Sequence, residues 1–502
     1  MSRQTPTLKR RRVMGEATPF RAEFNGSIRI EARSDRLTSD AGVLVLREIF
    51  ERLGMSEWLE QRLIDRRKKE WITHPLAELL HTAVLLLAQG YRDHDDADAL
   101  RDEAAFRIAV SKRRGISPLA VPERPEGEPA PKNPDQPEHL ASQPTMSRLN
   151  ARLAEDGNPA VMREAIFECA ARRIKAQRRR RFPRVTIDVD SIPVEVHGQQ
   201  PEAEYNGHYH ATVYHPLVAS IAETGDLLDL ELRRGTAHTA EGGLEFILPL
   251  IERAERSICH KADVRFDAGF PSEKTLGPLE DLGRKYLARV KNNAVLNRMA
   301  EKHLHRPPGR RPNEPRSWFY EYEYQAKEWS RARRCVLVVL ERADDLFLHH
   351  FWLITNWTKR ELGPEALLEK YRQRGTAEGI QGEFMSVLAP TLSSTVRPKA
   401  TYQGHAPAVE YPSVDAFAAN EVRLLMNALA YNVMHAGRVL VEKATGEGWG
   451  LVRFRERVLK VAARVLVHSR RATFVIGRSV AALWGALWRQ LGEFAWEPEP
   501  GG

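Results

Sequence analysis

Residues 185–196 read VTIDVDSIPVEV. Apolar and polar residues alternate over 185–190, the period of two expected of a half-buried β-strand. That period sets Val185, Ile187 and Val189 on one face and Thr186, Asp188 and Asp190 on the other. Two carboxylates on one face of an otherwise apolar strand are costly to bury unless a positive charge neutralises them, and a divalent cation would do so.

Two further acidic residues stand in related contexts. VRFDAGF (264–270) reads as a strand ending at Asp267, followed by a turn at Ala268-Gly269 and a helix starting near Pro271. Carboxylates at the carboxyl ends of strands face the crevice where open α/β sheets bind ligands. In KYRQRGTAEGIQGEF (370–384), part of a helix expected over 367–388, Tyr371, Arg374 and Glu378 are spaced i, i+3 and i+7 and share a face. An arginine one turn before a glutamate offers a phosphate clamp beside a metal-binding carboxylate. An Asp, Asp, Glu set on two strands and a helix suits two-metal phosphoryl transfer. Hard oxygen ligands then hold Mg²⁺ or Mn²⁺ ions roughly 3.5–4 Å apart, one activating the attacking oxygen and the other stabilising the leaving one.

The rest of the chain fits a soluble α/β protein. Its 502 residues suggest about three domains at roughly 150 residues each. Hydrophobic residues at 42% and charged residues at 28% exclude a disordered chain, and no apolar run approaches the ~20 residues of a membrane helix. The basic start (Lys9 to Arg12) is not followed by an apolar stretch, so it is not a secretory signal. Cys169, Cys259 and Cys335 are too scattered for a disulfide framework or a zinc cluster. A cytoplasmic protein is expected, and the net charge of +9 favours a polyanionic partner. Helical patterns fill 43–53, 75–88, 95–110, 145–153, 159–176 and 416–491, whereas strands alternate with helices from 185 onward.

The sequence resembles the DDE transposases of bacterial insertion sequences, most of all the group called "IS thirteen-eighty", related to the transposases with a Y-R-E-K signature. The resemblance runs through SDAGVLVLREIFERLG (39–54), GYRDHDDADALRDEAAFRIAV (90–110), LASQPTMSRLN (140–150), TIDVDSIPVEVHGQQ (186–200), YNGHYHATVYHPLVAS (205–220), VRFDAGF, YLARVKNNAVL (286–296), FWLITNW (351–357), KYRQRGTAEGIQGEF and NEVRLLMNALAYNV (420–433). It implies an RNase H-like catalytic core with a β-rich insertion, flanked by helical regions. The chain then divides into a helical N-terminal DNA-binding region (1–114), a Pro-rich linker (115–140) and short basic helices (141–184). A first part of the core (185–292), the β-rich insertion (293–349), a second part with the glutamate helix (350–400) and a helical, basic C-terminal region (401–502) follow.

The resemblance also implies a metal-dependent endonuclease and strand transferase, with two Mg²⁺ (or Mn²⁺) ions held by Asp190, Asp267 and Glu378. Asp188 competes with Asp190 as the first ligand, and the Asp-Ser continuation after Asp190 favours the latter. The implied partners are double-stranded DNA, as terminal inverted repeats and target, and a second copy of the chain on that DNA, in a nucleoid-associated setting. The Y-x2-R-x3-E-x6-K signature maps onto Tyr371, Arg374 and Glu378, but its lysine position is Met385. That departure motivates a second reading, a decayed or domesticated transposase that only binds DNA. A third is a nuclease of the same fold without strand transfer.

Other features carry weaker signals. Arg178, Arg179, Arg180 and Arg181 precede the first acidic strand and suit a solvated face or a DNA contact. Lys291 and Asn292 follow a core strand. Ser142 and Gln143 open a helix on which Arg148 would reach DNA in a helix-turn-helix. Arg453, Arg455, Arg457, Lys460 and Arg464 read as cationic faces of one helix. The acidic run Asp93 to Asp102 suits a helix start rather than a metal site, and His208, His210 and His215 suit a hairpin rather than a ligand set.

Overall fold

The computed structural model describes residues 20–120, 139–394 and 415–497, except 22, 26, 31–33, 94, 179, 307, 309–312 and 346. Most of the Pro-rich linker, the basic start and Arg179 lie outside the described residues.

The alternation at 185 forms the strand β1 (Val185–Ser191). Seven more strands join it: β2 (Leu217–Ile221), β3 (Leu227–Glu231), β4 (Ala262–Phe266), β5 (Tyr286–Val290), β6 (Arg316–Tyr324), β7 (Arg333–Glu341) and β8 (His349–Thr355). Their order across the sheet is β6-β7-β8-β5-β4-β1-β2-β3. The three central strands β1, β4 and β5 are parallel, and every other pairing is antiparallel. Residues 293–349 thus supply β6 and β7, which lengthen this one sheet through β8. The hairpin β2–β3 turns at Gly225, whose φ of 79° suits glycine.

One face of the sheet carries Val185, Ile187, Val189, Val264 and Phe266 into a core with the helices α1 (Asn158–Gln177), α2 (Gly243–Ser257) and α3 (Glu273–Asp281). Against the other face lie α4 (Pro364–Arg372) and α5 (Arg374–Glu383), hinged at Gln373, with Leu367 and Leu368 packed on Leu287, Val338 and Leu353. The helix expected over 367–388 is therefore two helices, continued by a π-helical turn at Phe384–Leu388.

A second, larger core joins the two ends of the chain. Helices Val43–Arg52 and Leu76–Gln89 pack with α6 (Ala416–Thr445) and Arg478–Glu493. The edge strand β3 is covered by α6. Asn432, fully buried, accepts from Leu227 N at 3.0 Å and donates to Leu227 O at 2.8 Å, so this stretch of strand edge is satisfied.

Three expectations are corrected here. The C-terminal region is not all helix: Ala463–His468 and Arg471–Ile476 form a hairpin that pairs with Arg36–Thr38. Its alternation of buried and exposed residues is a strand signal. The five cations from Arg453 to Arg464 do not lie on one helix: Arg453, Arg455 and Arg457 fall in the short helical stretch 451–459, Lys460 follows it and Arg464 is on the first hairpin strand. Arg455 turns inward onto the carbonyls of Ala88 and Val387, and Lys460 onto Asp40 at 2.6 Å. The helix expected over 95–110 is two short ones, Asp96–Ala99 and Ala104–Val110. No helix among the described residues is long and apolar enough to cross a membrane.

Two buried histidines tie this core to pH. His81 accepts from Arg47 at 2.9 Å, and His435 lies between Arg438 and the Thr224 carbonyl. Burial pulls each from 6.5 down to about 3. The unfolded chain therefore takes up protons that the folded chain refuses, and stability falls as pH drops from 6.5 toward 3. At pH 5 each histidine should remove up to about 2 kcal/mol. Melting curves between pH 7 and 5 check this, and His81→Gln should lower the proton uptake on unfolding by about one.

Candidate active site

The polar face of the two central strands is built in layers because β1 and β4 run parallel and in register. Thr186 lies beside Asp263 and Asp188 beside Arg265, and the same register carries Asp190 toward Asp267. All six side chains belong to the face covered by α4 and α5, whose cations enter between them. Lys370 donates to Thr186 Oγ1 at 2.8 Å and lies 3.5 Å from Asp263, which Arg184 also contacts.

In the middle layer the two first-strand aspartates differ in their surroundings. Asp188 is 3% exposed and meets Arg265, itself 0% exposed, through two bonds of 2.5 and 2.6 Å. Burial pushes the Asp188 carboxyl up and the guanidinium pulls it back. In this structure its charge is met by the guanidinium of Arg265.

The outer layer opens to solvent. Asp190, 15% exposed, accepts from Arg374 Nη2 at 2.5 Å, and Asp267 Oδ1 stands 4.0 Å from the same nitrogen. The other terminal nitrogen of Arg374 contacts Glu378 Oε1. Asp267 and Glu378 are 42% and 59% exposed. The three acids therefore meet around one guanidinium. Among the described residues, no three acidic, histidine or cysteine side chains form a ready metal-binding group. The Asp190 carboxyl is pushed up by burial, against the pull of Arg374.

Other expected residues are distributed unevenly. Tyr371 is half-buried, with its ring 6.1 Å from Phe351, and burial pushes its hydroxyl up. Lys291 and Asn292 are exposed just after β5, on the sheet edge that carries Asp267. Arg178, Arg180 and Arg181 stand at the opposite end of β1 from Asp190. Arg178 lies over Phe182, and Arg181 bonds the Glu255 carbonyl. Arg148 is exposed on Gln143–Leu153. Met385, on the π-helical turn, packs against the large helical core.

Two residues join the site that sequence reasoning passed over. Gln381, three residues beyond Glu378, lies near enough to Asp190 to favour its charged form. Tyr209 lies within the influence of Asp190 and Asp267, whose charges add to burial in pushing its hydroxyl up. His215 donates through Nδ1 to the Ala237 carbonyl at 2.9 Å, which leaves Nε2 to accept from Tyr209 at 3.3 Å. The His-Tyr-His cluster at 208–210 was the available signal, with its histidines weighed as ligands or as part of a hairpin and Tyr209 given no role.

The site is thus an acidic cluster at the carboxyl edge of a mixed sheet, with a helix supplying its third acid. The family model described as Transposase DDE domain group 1 matches residues 20–385, and the chain belongs to this family of DDE transposases. A cryo-EM structure of a piggyBac transposase synaptic complex with hairpin DNA aligns over 94% of this chain and 88% of that one, at 11% identity and a TM-score of 0.40. That likeness is too distant to define a fold. No curated protein matches.

Because Arg374 neutralises three acids, its removal should leave a poorly hydrated Asp190 beside two like charges. Arg374→Ala should lose about 1–3 kcal/mol at pH 7. Saturating Mn²⁺ should then raise its Tm more than that of the unaltered protein, as read by calorimetry. An Arg374→Ala protein of unaltered Tm would show that the guanidinium does not hold the acids.

Proposed function

We propose that the chain is the transposase of a bacterial insertion sequence, of the "IS thirteen-eighty" group. It cuts DNA at terminal inverted repeats and joins the freed 3′-OH to target DNA in a cut-and-paste reaction. The observation that carries this reading is the meeting of Asp190, Asp267 and Glu378 around one cationic side chain. The order β3-β2-β1-β4-β5, antiparallel through the first three strands and parallel through the last three, supports an RNase H-like core.

The donor set fits two hard divalent ions. Three carboxylates, two of them well exposed, already turn toward one positive charge, and oxygen ligands suit Mg²⁺ or Mn²⁺. When bound, such ions supply Lewis acidity for phosphoryl transfer and lower the pKa of an attacking water or hydroxyl. Asp190, Asp267 and Glu378 would hold them, with Gln381 orienting Asp190. Arg374, whose planar fork now contacts the acids, would be placed to hold the phosphate of the scissile strand. Tyr371, kept neutral, donates its hydroxyl beside it, and Lys291 and Asn292 hold the backbone along the same edge. Arg148 and the exposed arginines Arg178, Arg180 and Arg181 lie on surfaces suited to flanking duplex, and the chain acts as a homodimer because two ends must be brought together.

The binding-only alternative draws on Met385. Its side chain packs against the helical core beside Phe384 and Val387, so no phosphate contact arises from that position. The metal site is unaffected by this change. Incubating the protein with a plasmid carrying the element's ends decides between the readings. Nicking and joined products with Mg²⁺ or Mn²⁺, and neither with EDTA, are expected. Asp267→Asn should lower cleavage by at least about 10³-fold while end binding survives. Binding without cleavage under every metal would favour the decayed form, and cleavage without joined products the nuclease.

A further inference from the structure

Beneath the three acids lies a buried arginine that the proposed chemistry does not use. Arg265 on β4 donates through Nε and Nη2 to Asp188 on β1, and through Nη1 to the Lys370 carbonyl of α4. We infer that Arg265, oriented by Asp188, is the positioning residue of the acidic site, fixing the relative places of Asp190, Asp267 and Glu378 without touching substrate. The inference rests on the phosphoryl-transfer reading of that site and assigns the buried pair its part in it.

The connectivity carries the case. Two of the elements joined through Arg265, β1 and β4, each bear one of the acids, and the third, α4, leads through Gln373 into the α5 that bears Glu378. Asp188 precedes Asp190 by two residues on the same strand face, and Arg265 precedes Asp267 by two on the neighbouring strand. Lys370, near the end of α4, precedes Arg374 by four residues and Glu378 by eight, both of them on α5 beyond the Gln373 junction. One planar guanidinium therefore fixes the spacing of two strands and their distance from the helix, with its bonds directed by a rigid fork. Lysine offers a single point charge and cannot reproduce that geometry.

Stability alone gives little reason to keep the pair. Replacing a fully buried ion pair by apolar residues of similar volume is often neutral or stabilising, whereas removing one partner is strongly destabilising. Arg265 is fully buried and Asp188 nearly so, with both carboxylate oxygens occupied. A metal at Asp188 would have to displace this pair. What an apolar replacement would lose is the bond across to α4 and the fixed strand spacing. Supporting residues behind metal ligands typically change metal affinity or activity by 10- to 100-fold.

The test compares the full-length protein with the double variant Asp188→Leu/Arg265→Met and with Asp267→Asn. Calorimetry gives Tm and the affinity for Mn²⁺ without DNA, and plasmid cleavage gives the rate. The double variant should keep its Tm within a few degrees, bind Mn²⁺ about 10-fold or more weakly, and cleave about 100-fold more slowly. If it fails to fold, Arg265→Lys takes its place, and the folded protein should show the same weakened Mn²⁺ binding. A folded variant of either kind with unaltered Mn²⁺ affinity and rate overturns the inference, provided that Asp267→Asn lowers both. If Asp267→Asn changes neither, the metal-site reading fails and the inference falls with it.

Discussion

Charge buried between the two central strands and the helix above them is the constraint on which the site depends. β1 and β4 each place three polar side chains on the face that α4 and α5 must cover. Such a face is tolerable only if every carboxylate meets a cation or a hydrogen-bond donor. Lys370, Arg265 and Arg374 meet this need in successive layers along the strands. The middle contact, Arg265 with Asp188, is closed to water. The outermost is open, and there the acids remain within reach of a ligand. The same electrostatic demand that fixes the fold also leaves its last layer free for chemistry.

Much of this could be read from the chain. The alternation at 185–190, the strand ending at Asp267 and the spacing of Arg374 and Glu378 follow from local periodicity, and each is realised in the structure. What local pattern could not supply was the partner of each charge. Asp188 and Asp190 are equivalent along the strand, since both lie on its polar face. They differ only because Arg265 stands beside one and Arg374 above the other, contacts that span 77 and 184 residues. Tyr209 and Gln381 were missed for the same reason: their relation to Asp190 exists only after folding.

The C-terminal region shows the opposite difficulty. Its density of arginine drew attention to charge and away from the alternation that makes Ala463–His468 and Arg471–Ile476 strands. Several of those cations serve the core, where Arg455 and Lys460 satisfy carbonyls and Asp40 far away in the sequence. The N-terminal helices and α6 share one apolar core, so regions at the two ends of the sequence form one body that packs against the glutamate helix through Ile380 and Phe384. That packing anchors the C-terminal half of the helix, while the Gln373 hinge separates it from α4.

If the proposed function holds, divalent ions and Arg374 would contend for the carboxylates of Asp190, Asp267 and Glu378. Anomalous scattering from crystals of the full chain grown with Mn²⁺ tests it most directly. Manganese peaks bounded by Asp190, Asp267 and Glu378, with Arg374 turned away from all three, are the predicted result. Ions bound elsewhere, with Arg374 still lying across the acids at saturating Mn²⁺, would contradict it.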